Sequence, residues 1–200
     1  LELTSTRAAE LAPRTSSAAV EVAPGIFVLR AFSPVEASAA VMIASRSACW
    51  VPAGINEDLA VDPRVRDAEM LPEELHRPHA HAYRERLLVV TSRLAAKRVP
   101  GAVLTECQLV RYHVGGRYVE HRDAPAAGDP RRVLSLVCYL NDDFAGGATA
   151  LLDDDVIVEP SAGIVVAFSP ARLHRAEPVT AGTKYVITAW YGMPSPPPVP

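Results

Sequence analysis

Lysine is nearly missing from this 200-residue chain: of its 20 basic residues only Lys97 and Lys184 are lysines, the rest being arginine. Arginine is the default cation here, so a lysine inside an apolar run calls for a reason. Basic residues as a whole are not in excess, because 23 acidic residues leave a net charge of −3 and a pI near 6.1. That balance gives no electrostatic support to a nucleic-acid or anionic-membrane partner. Cysteine is scarce too. Cys49, Cys107 and Cys138 are odd in number and show no C-x-x-C spacing, which argues for reduced, structural thiols in a cytoplasmic protein. No apolar run approaches the roughly 20 residues of a membrane helix, the N-terminal stretch lacks a signal peptide's apolar segment, and no internal repeat is evident.

What is present is ordinary for a soluble chain with one good core: 49% hydrophobic and 22% charged residues. Residues 1–24, rich in Ala, Ser, Thr and Pro, and the Pro-rich 193–200 read as tails around a single domain over 25–192. A short strand is expected at 25–29. Ser33, Pro34 and Glu36 then supply an N-cap, a proline at the first helical position and a capping-box acid, so a helix should run to about residue 45. A strand at 49–51 is followed by a Pro-punctuated stretch to residue 81, read as a loop over a site. It contains His76, His79 and His81, but Pro78 breaks any regular ligand spacing there. A helical stripe over 82–99 ends at Pro100-Gly101. From 103 the pattern becomes β: runs at 103–113, 132–141, 147–152, 155–159, 163–168, 172–176 and 183–191. The expected fold is mostly β with N-terminal helices, a jelly roll or barrel with the helices packed on one sheet.

His121 and Asp123 lie two apart, so on a strand both would face one way while Arg122 faces the other. With His174 they make the two-imidazole, one-carboxylate set suited to non-haem Fe(II). The turn 180–182 is expected to pair the run carrying His174 with the strand from 183, as a hairpin that brings His174 near Lys184. On that strand Lys184, Val186, Thr188 and Trp190 alternate with an apolar face of Tyr185, Ile187, Ala189 and Tyr191. A lysine in so apolar a strand is costly unless paired, though an edge strand would let it reach solvent. Ser135, Val137 and Tyr139 share one face of the 132–140 run, and Gln108, Val110 and Tyr112 form a third such face. A phenol and an ammonium converging in a cavity would anchor a carboxylate.

The ordered series Tyr112-x3-Gly116-x-Tyr118-x2-His121-x-Asp123, Arg132-x2-Ser135-x3-Tyr139-Leu140-Asn141, Gly146-Gly147-x-Thr149, Pro160-x2-Gly163 and His174-x3-Pro178-Val179-x2-Gly182-x-Lys184-Tyr185, with Trp190, resembles the prolyl 4-hydroxylase-like Fe(II)/2-oxoglutarate oxygenases over about residues 103–192. The resemblance implies a double-stranded β-helix (a cupin-like jelly roll) with iron on His121, Asp123 and His174. It places Lys184 on the distal carboxylate of 2-oxoglutarate, with Tyr139 and either Thr188 or Tyr112 assisting. The ten-residue spacing from His174 to Lys184 is similar to the collagen type. Ala148 stands where many relatives carry Glu, and Ser135 replaces a common Thr. Because related halogenases lack the carboxylate that Asp123 supplies, halogenation is disfavoured.

The implied dioxygenase consumes O2 and 2-oxoglutarate, releases succinate and CO2, and oxidises an unactivated C–H bond, with ascorbate a candidate reductant for the iron. Gln108, Tyr118, Arg132, Arg175 and Trp190 are the candidate substrate contacts. The expected substrate is a free amino acid or a small natural-product intermediate. A peptidyl-proline in a protein or peptide is the alternative, and a non-redox, metal-binding cupin-like protein is the reading from another class.

Overall fold

The computed structural model describes residues 4–7, 18–55, 60–124 and 131–194, with backbone alone for 4–7 and 73–81. The N-terminal part contributes β1 (Thr4–Arg7), β2 (Val20–Ala23), β3 (Ile26–Arg30), helix α1 (Pro34–Ser45), the short strands β4 (Val51–Pro52), β5 (Arg66–Asp67) and β6 (Glu69–Leu71), and helix α2 (Glu73–Arg98). There follow β7 (Val103–Tyr112), β8 (Arg117–His121), β9 (Leu134–Tyr139), β10 (Ala145–Gly146), β11 (Thr149–Leu151), β12 (Val156–Glu159), β13 (Ile164–Phe168), β14 (His174–Ala176), β15 (Val179–Ala181) and β16 (Lys184–Gly192). No described helix is long and apolar enough to cross a membrane.

The strands form a major sheet in the order β2-β3-β13-β9-β16-β7-β6-β4, a minor sheet β1-β12-β11-β14-β8-β5, and a separate pair β10-β15. Pairing is antiparallel except between β1 and β12. This is the double-stranded β-helix, mostly β with its helices on one sheet. Strand alternation decides what each face of the major sheet does. Leu134, Leu136, Cys138 and Leu140 join Tyr185, Ile187, Ala189 and Tyr191 in one core cluster with Ala37, Ala40 and Ala44 of α1 and Tyr83, Leu87, Val90 and Leu94 of α2. The opposite face, with Val110, Tyr112, Tyr139 and Val186, packs with Leu151, Val156 and Val158 of the minor sheet. A buried bond of 2.8 Å between Thr91 Oγ1 and the Tyr191 hydroxyl ties α2 to β16. Truncating Leu87, which is fully buried at that junction, to Ala would cost about 2–5 kcal/mol.

Helix α1 begins as its sequence dictates. Glu36 N–H donates to Ser33 Oγ at 3.3 Å and Ser33 N–H to Glu36 Oε2 at 2.7 Å, a reciprocal cap worth about 1 kcal/mol. Two stretches of the N-terminal half depart from expectation, while the strand at Ile26–Arg30 and the helix over 82–98 agree with it. The stretch 1–24 contains β1, which pairs with β12, and β2, which pairs with β3. The supposed loop 52–81 holds β5, β6 and the start of α2. Helix α2 runs through Pro78, which lacks the N–H that would bond the carbonyl four residues back. That single loss falls in an early turn, and the long buried face from Tyr83 to Leu94 outweighs it. His76, His79 and His81 lie on this helical backbone, and their side chains fall outside the described residues.

Candidate active site

The minor sheet builds a metal-binding geometry. Strands β8 and β14 pair so that His174 lies opposite His121, with ring centroids 4.2 Å apart. The ring Nδ1 atoms lie 2.8 Å from the Val119 carbonyl and 2.9 Å from the Arg172 carbonyl. A carbonyl only accepts, so each Nδ1 carries a proton, and in the neutral ring the lone pair free to ligate is that of Nε2. Asp123 is not on a strand as expected: β8 stops at His121, and the Asp123 N–H bonds the Pro170 carbonyl at 2.9 Å instead. The carboxylate still turns to the same point. Its Oδ1 is 3.5 Å from His121 Nε2 and its Oδ2 is 3.6 Å from His174 Nε2, and ligand atoms of the three residues all lie within 4.8 Å.

Two donors fix the carboxylate's orientation. Ser135 Oγ and Trp190 Nε1 donate to Asp123 Oδ2 at 2.6 and 2.9 Å, leaving Oδ1 as the freer ligand atom. Burial alone would raise the Asp123 carboxyl, but when the imidazoles are protonated the hydrogen bond from His121 and the charges of His174 and His121, together with the Ser135 bond, hold it well below the usual carboxylate range. Burial also lowers His174 despite the neighbouring Asp123, which favours its neutral, ligating form.

The major sheet builds the facing wall. His174 and Lys184 are not hairpin partners: β14 pairs with β11 and β8, β15 with β10, and β16 with β7 and β9. The two residues sit on different sheets and meet across one cavity of about 840 Å³, which both line. Lys184 is 1% exposed, not an edge-strand residue. Its Nζ donates to the Gly147 carbonyl at 2.7 Å and lies 4.9 and 5.3 Å from the ring centroids of Tyr112 and Tyr139. No carboxylate among the described residues pairs with it, and burial pushes the ammonium down to about 7. The turn that offers this carbonyl needs glycine. Gly147 has φ +67°, and a Cβ there would come within 2.8 Å of Phe144 and 3.1 Å of the Lys184 stem.

Tyr139 is fully buried and sits behind the cavity wall, its hydroxyl 2.6 Å from Thr149 Oγ1, and Thr149 itself lines the cavity. Burial raises the Tyr139 phenol far above its ordinary value, so it stays a neutral hydrogen-bonding group. Thr188 and Gln108 are cross-strand partners on the cavity side, and Thr188 Oγ1 and Gln108 Oε1 are both buried without a hydrogen-bond partner.

At the mouth, Tyr118 stacks on His121 with ring centroids 3.5 Å apart. Arg132 lies 4.0 Å over Trp190 and is held by Glu106 through bonds of 3.0 and 2.6 Å. Arg175 is held by Glu120 and Glu177. Both arginines were expected as substrate contacts, and both line the cavity with their charges already matched. Sequence reasoning missed Glu106, Thr149 and Arg66 as cavity residues, and the grip of Ser135 and Trp190 on Asp123. Alternation from Tyr139 to Ser135 and from Lys184 to Trp190 carried a signal for the last two, and Thr149 stands in the glycine motif. Arg66 lies on a two-residue strand with no periodicity to reveal it.

Fold and site together define a class: a double-stranded β-helix with a two-histidine, one-carboxylate triad facing a buried lysine. Residues 107–192 match the 2OG-Fe(II) oxygenase superfamily. A PKHD-type hydroxylase of Thermosynechococcus vestitus is 30% identical over 139 residues, 63% of this chain and 60% of that protein. Among solved structures, a Pseudomonas putida prolyl-4-hydroxylase matches with TM-score 0.61 and 25% identity, covering 85% of this chain and 93% of that one. A Trichoplax adhaerens prolyl hydroxylase, solved with a peptide of hypoxia inducible factor, matches with TM-score 0.68 and 20% identity over 84% and 83% of the two chains. Residues 107–192 are thus similar to the 2OG-Fe(II) oxygenase superfamily, and the fold is similar to that of prolyl hydroxylases of known structure. The chain spans 38% to 60% of the length of the first curated relatives it matches.

Proposed function

We propose that residues 25–192 act as one Fe(II)/2-oxoglutarate-dependent oxygenase that hydroxylates an unactivated C–H bond and releases succinate and CO2. The observation that carries this reading is the presence of two complementary half-sites in one cavity: the triad within 4.8 Å, and a wholly buried lysine without a carboxylate partner among the described residues. Two imidazole nitrogens and one carboxylate oxygen fit Fe(II) with positions left open, and a lone buried ammonium fits the far end of a dicarboxylate. When bound, iron with 2-oxoglutarate supplies the oxidising chemistry. The chain's own work is placement. His121 and His174 offer Nε2 and Asp123 offers Oδ1, while Ser135 and Trp190 keep Oδ2 occupied. Lys184 takes the distal carboxylate, with Tyr112 beside it, Thr188 farther along β16 on the same cavity and Tyr139 acting through Thr149. The apolar residues between the sheets keep bulk water from the reacting carbon.

For the substrate, a free amino acid or small natural-product intermediate fits a cavity of about 840 Å³ in which Arg132 and Arg175 are already matched by carboxylates. The prolyl hydroxylase relatives favour a second reading, a peptidyl-proline. A non-redox cupin-like metal protein would account for the triad but leaves Lys184 with no reason to be buried. Anaerobic addition of Fe(II) and 2-oxoglutarate, assayed later in air with ascorbate as reductant, tests the main reading. The parent protein should show the visible metal-to-ligand charge-transfer band, and Lys184→Ala should need far more 2-oxoglutarate to reach it. A parent protein with no band overturns the oxygenase reading.

A further inference from the structure

Charge matching separates the arginines of the cavity. Arg122 pairs with Asp153, Arg132 with Glu106, Arg175 with Glu120 and Glu177, and Arg131 is also partnered. Arg66 also lines the cavity, is 7% exposed, and meets no carboxylate among the described residues. Its Nη1 donates to the Gly54 carbonyl at 2.6 Å, but its Nε is buried with no partner. A buried cation without a counter-charge carries a desolvation cost that a fold rarely retains without use. The cavity thus holds two such cations, Lys184 and Arg66. One dicarboxylate cosubstrate, chelating with one end, accounts for only the first.

We propose that Arg66 is the anchor for a carboxylate on the substrate itself, so that the substrate is a small free acid and not an internal peptide residue. This rests on the oxygenase reading above and narrows its substrate class. Position supports it. The Arg66 Cζ lies 5.0 Å from the Tyr118 ring centroid, and that ring stacks on His121 at 3.5 Å with planes 15° apart. The guanidinium is therefore one aromatic layer from a metal-ligand ring. A carboxylate held there shares one cavity with a C–H presented to the metal. Tyr118 is steadied in turn, its hydroxyl donating to the Ile55 carbonyl at 3.3 Å next to the Gly54 carbonyl that holds Arg66. A planar guanidinium with a free Nε–H suits a carboxylate better than the backbone carbonyl of a peptide, which carries no charge to match.

The test uses the protein loaded with Fe(II) and 2-oxoglutarate. Each proteinogenic amino acid is offered beside its own carboxamide and beside a capped prolyl peptide. The readouts are the shift of the charge-transfer band and substrate-stimulated succinate release. Expected is at least one free acid that shifts the band and is at least tenfold more effective than its carboxamide. In Arg66→Met that acid should lose at least tenfold in apparent affinity while the carboxamide is unchanged, and Arg66→Lys should recover part of the loss. If Arg66 only supported the Gly54 loop, acid and carboxamide would fall together and the acid-to-amide ratio would not move. An equal response to acid and amide, a response to the capped peptide alone, or no response to any acid overturns the proposal. Because band formation without substrate is measured first, failure of the oxygenase reading is seen separately.

Discussion

The two walls of the cavity are built on opposite principles. On the minor-sheet wall the three metal-facing groups already have their complements: the imidazoles are tethered to backbone carbonyls, and the Asp123 carboxylate is held by Ser135 and Trp190 and set among the histidines. On the major-sheet wall three polar groups are left wanting. Among the described residues Lys184 has one neutral carbonyl, and Thr188 Oγ1 and Gln108 Oε1 have no hydrogen-bond partner. A preorganised wall suits a resident metal, and a wall with unmet partners suits a cosubstrate that comes and goes.

Breaking the first wall should have the largest effect. Asp123→Ala should abolish substrate-coupled succinate formation, measured by succinate release in air, and retained coupled activity would remove Asp123 from the metal shell. Breaking the second wall should be graded. Lys184→Met should weaken 2-oxoglutarate binding about 100-fold, as expected for a lost charge-assisted bond of roughly 1.5–3 kcal/mol. The same change should raise the thermal midpoint of the ligand-free protein, because it removes a buried, unpaired ammonium. Calorimetry with and without 2-oxoglutarate reads both effects, and a falling midpoint would show that Lys184 is structurally compensated.

The walls should also separate by pH. With Lys184 pushed down to about 7, the ligand-free folded protein binds fewer protons than the unfolded chain between pH 7 and the ordinary lysine range. Its contribution to stability therefore rises with pH across that window. Affinity for a dianion moves the other way, since only the ammonium form attracts it. Binding should weaken about 15-fold from pH 7 to 8.5, with proton uptake visible as a buffer-dependent heat. A flat profile, or one unchanged in Lys184→Met, would break the comparison. The smallest expected effect lies where the second wall grips the first: Trp190→Phe should lower Fe(II) affinity about tenfold by freeing Asp123 Oδ2, with Ser135 still in place.

Most of this contrast was legible in the sequence because strands alternate. The cavity faces of β16, β9 and β7 follow from Lys184 to Trp190, Ser135 to Tyr139 and Gln108 to Tyr112 read two by two. Pairing between strands was not legible. The expected hairpin joined His174 to Lys184 through the nearest turn, whereas the chain crosses by β15 into the other sheet. Those residues thus face one cavity from different sheets and are not neighbours along a ladder, which no local pattern records. Likewise β5 is two residues long, so Arg66 carries no periodic signature, and Pro78 hides the early turns of a helix whose stability comes from its later, buried face.

The double grip on Asp123 Oδ2 has a consequence for remodelling the site. Shortening Asp123 to glycine would not leave a blank surface. The Trp190 indole N–H and the Ser135 hydroxyl, both now within 2.9 Å of one oxygen, would still point at the vacated spot. What remains is a pair of converging donors beside two imidazoles, a ready seat for a small monoanion such as chloride or formate. Whoever exchanges the carboxylate here inherits an anion receptor, and must either fill it or dismantle Trp190 and Ser135 with it.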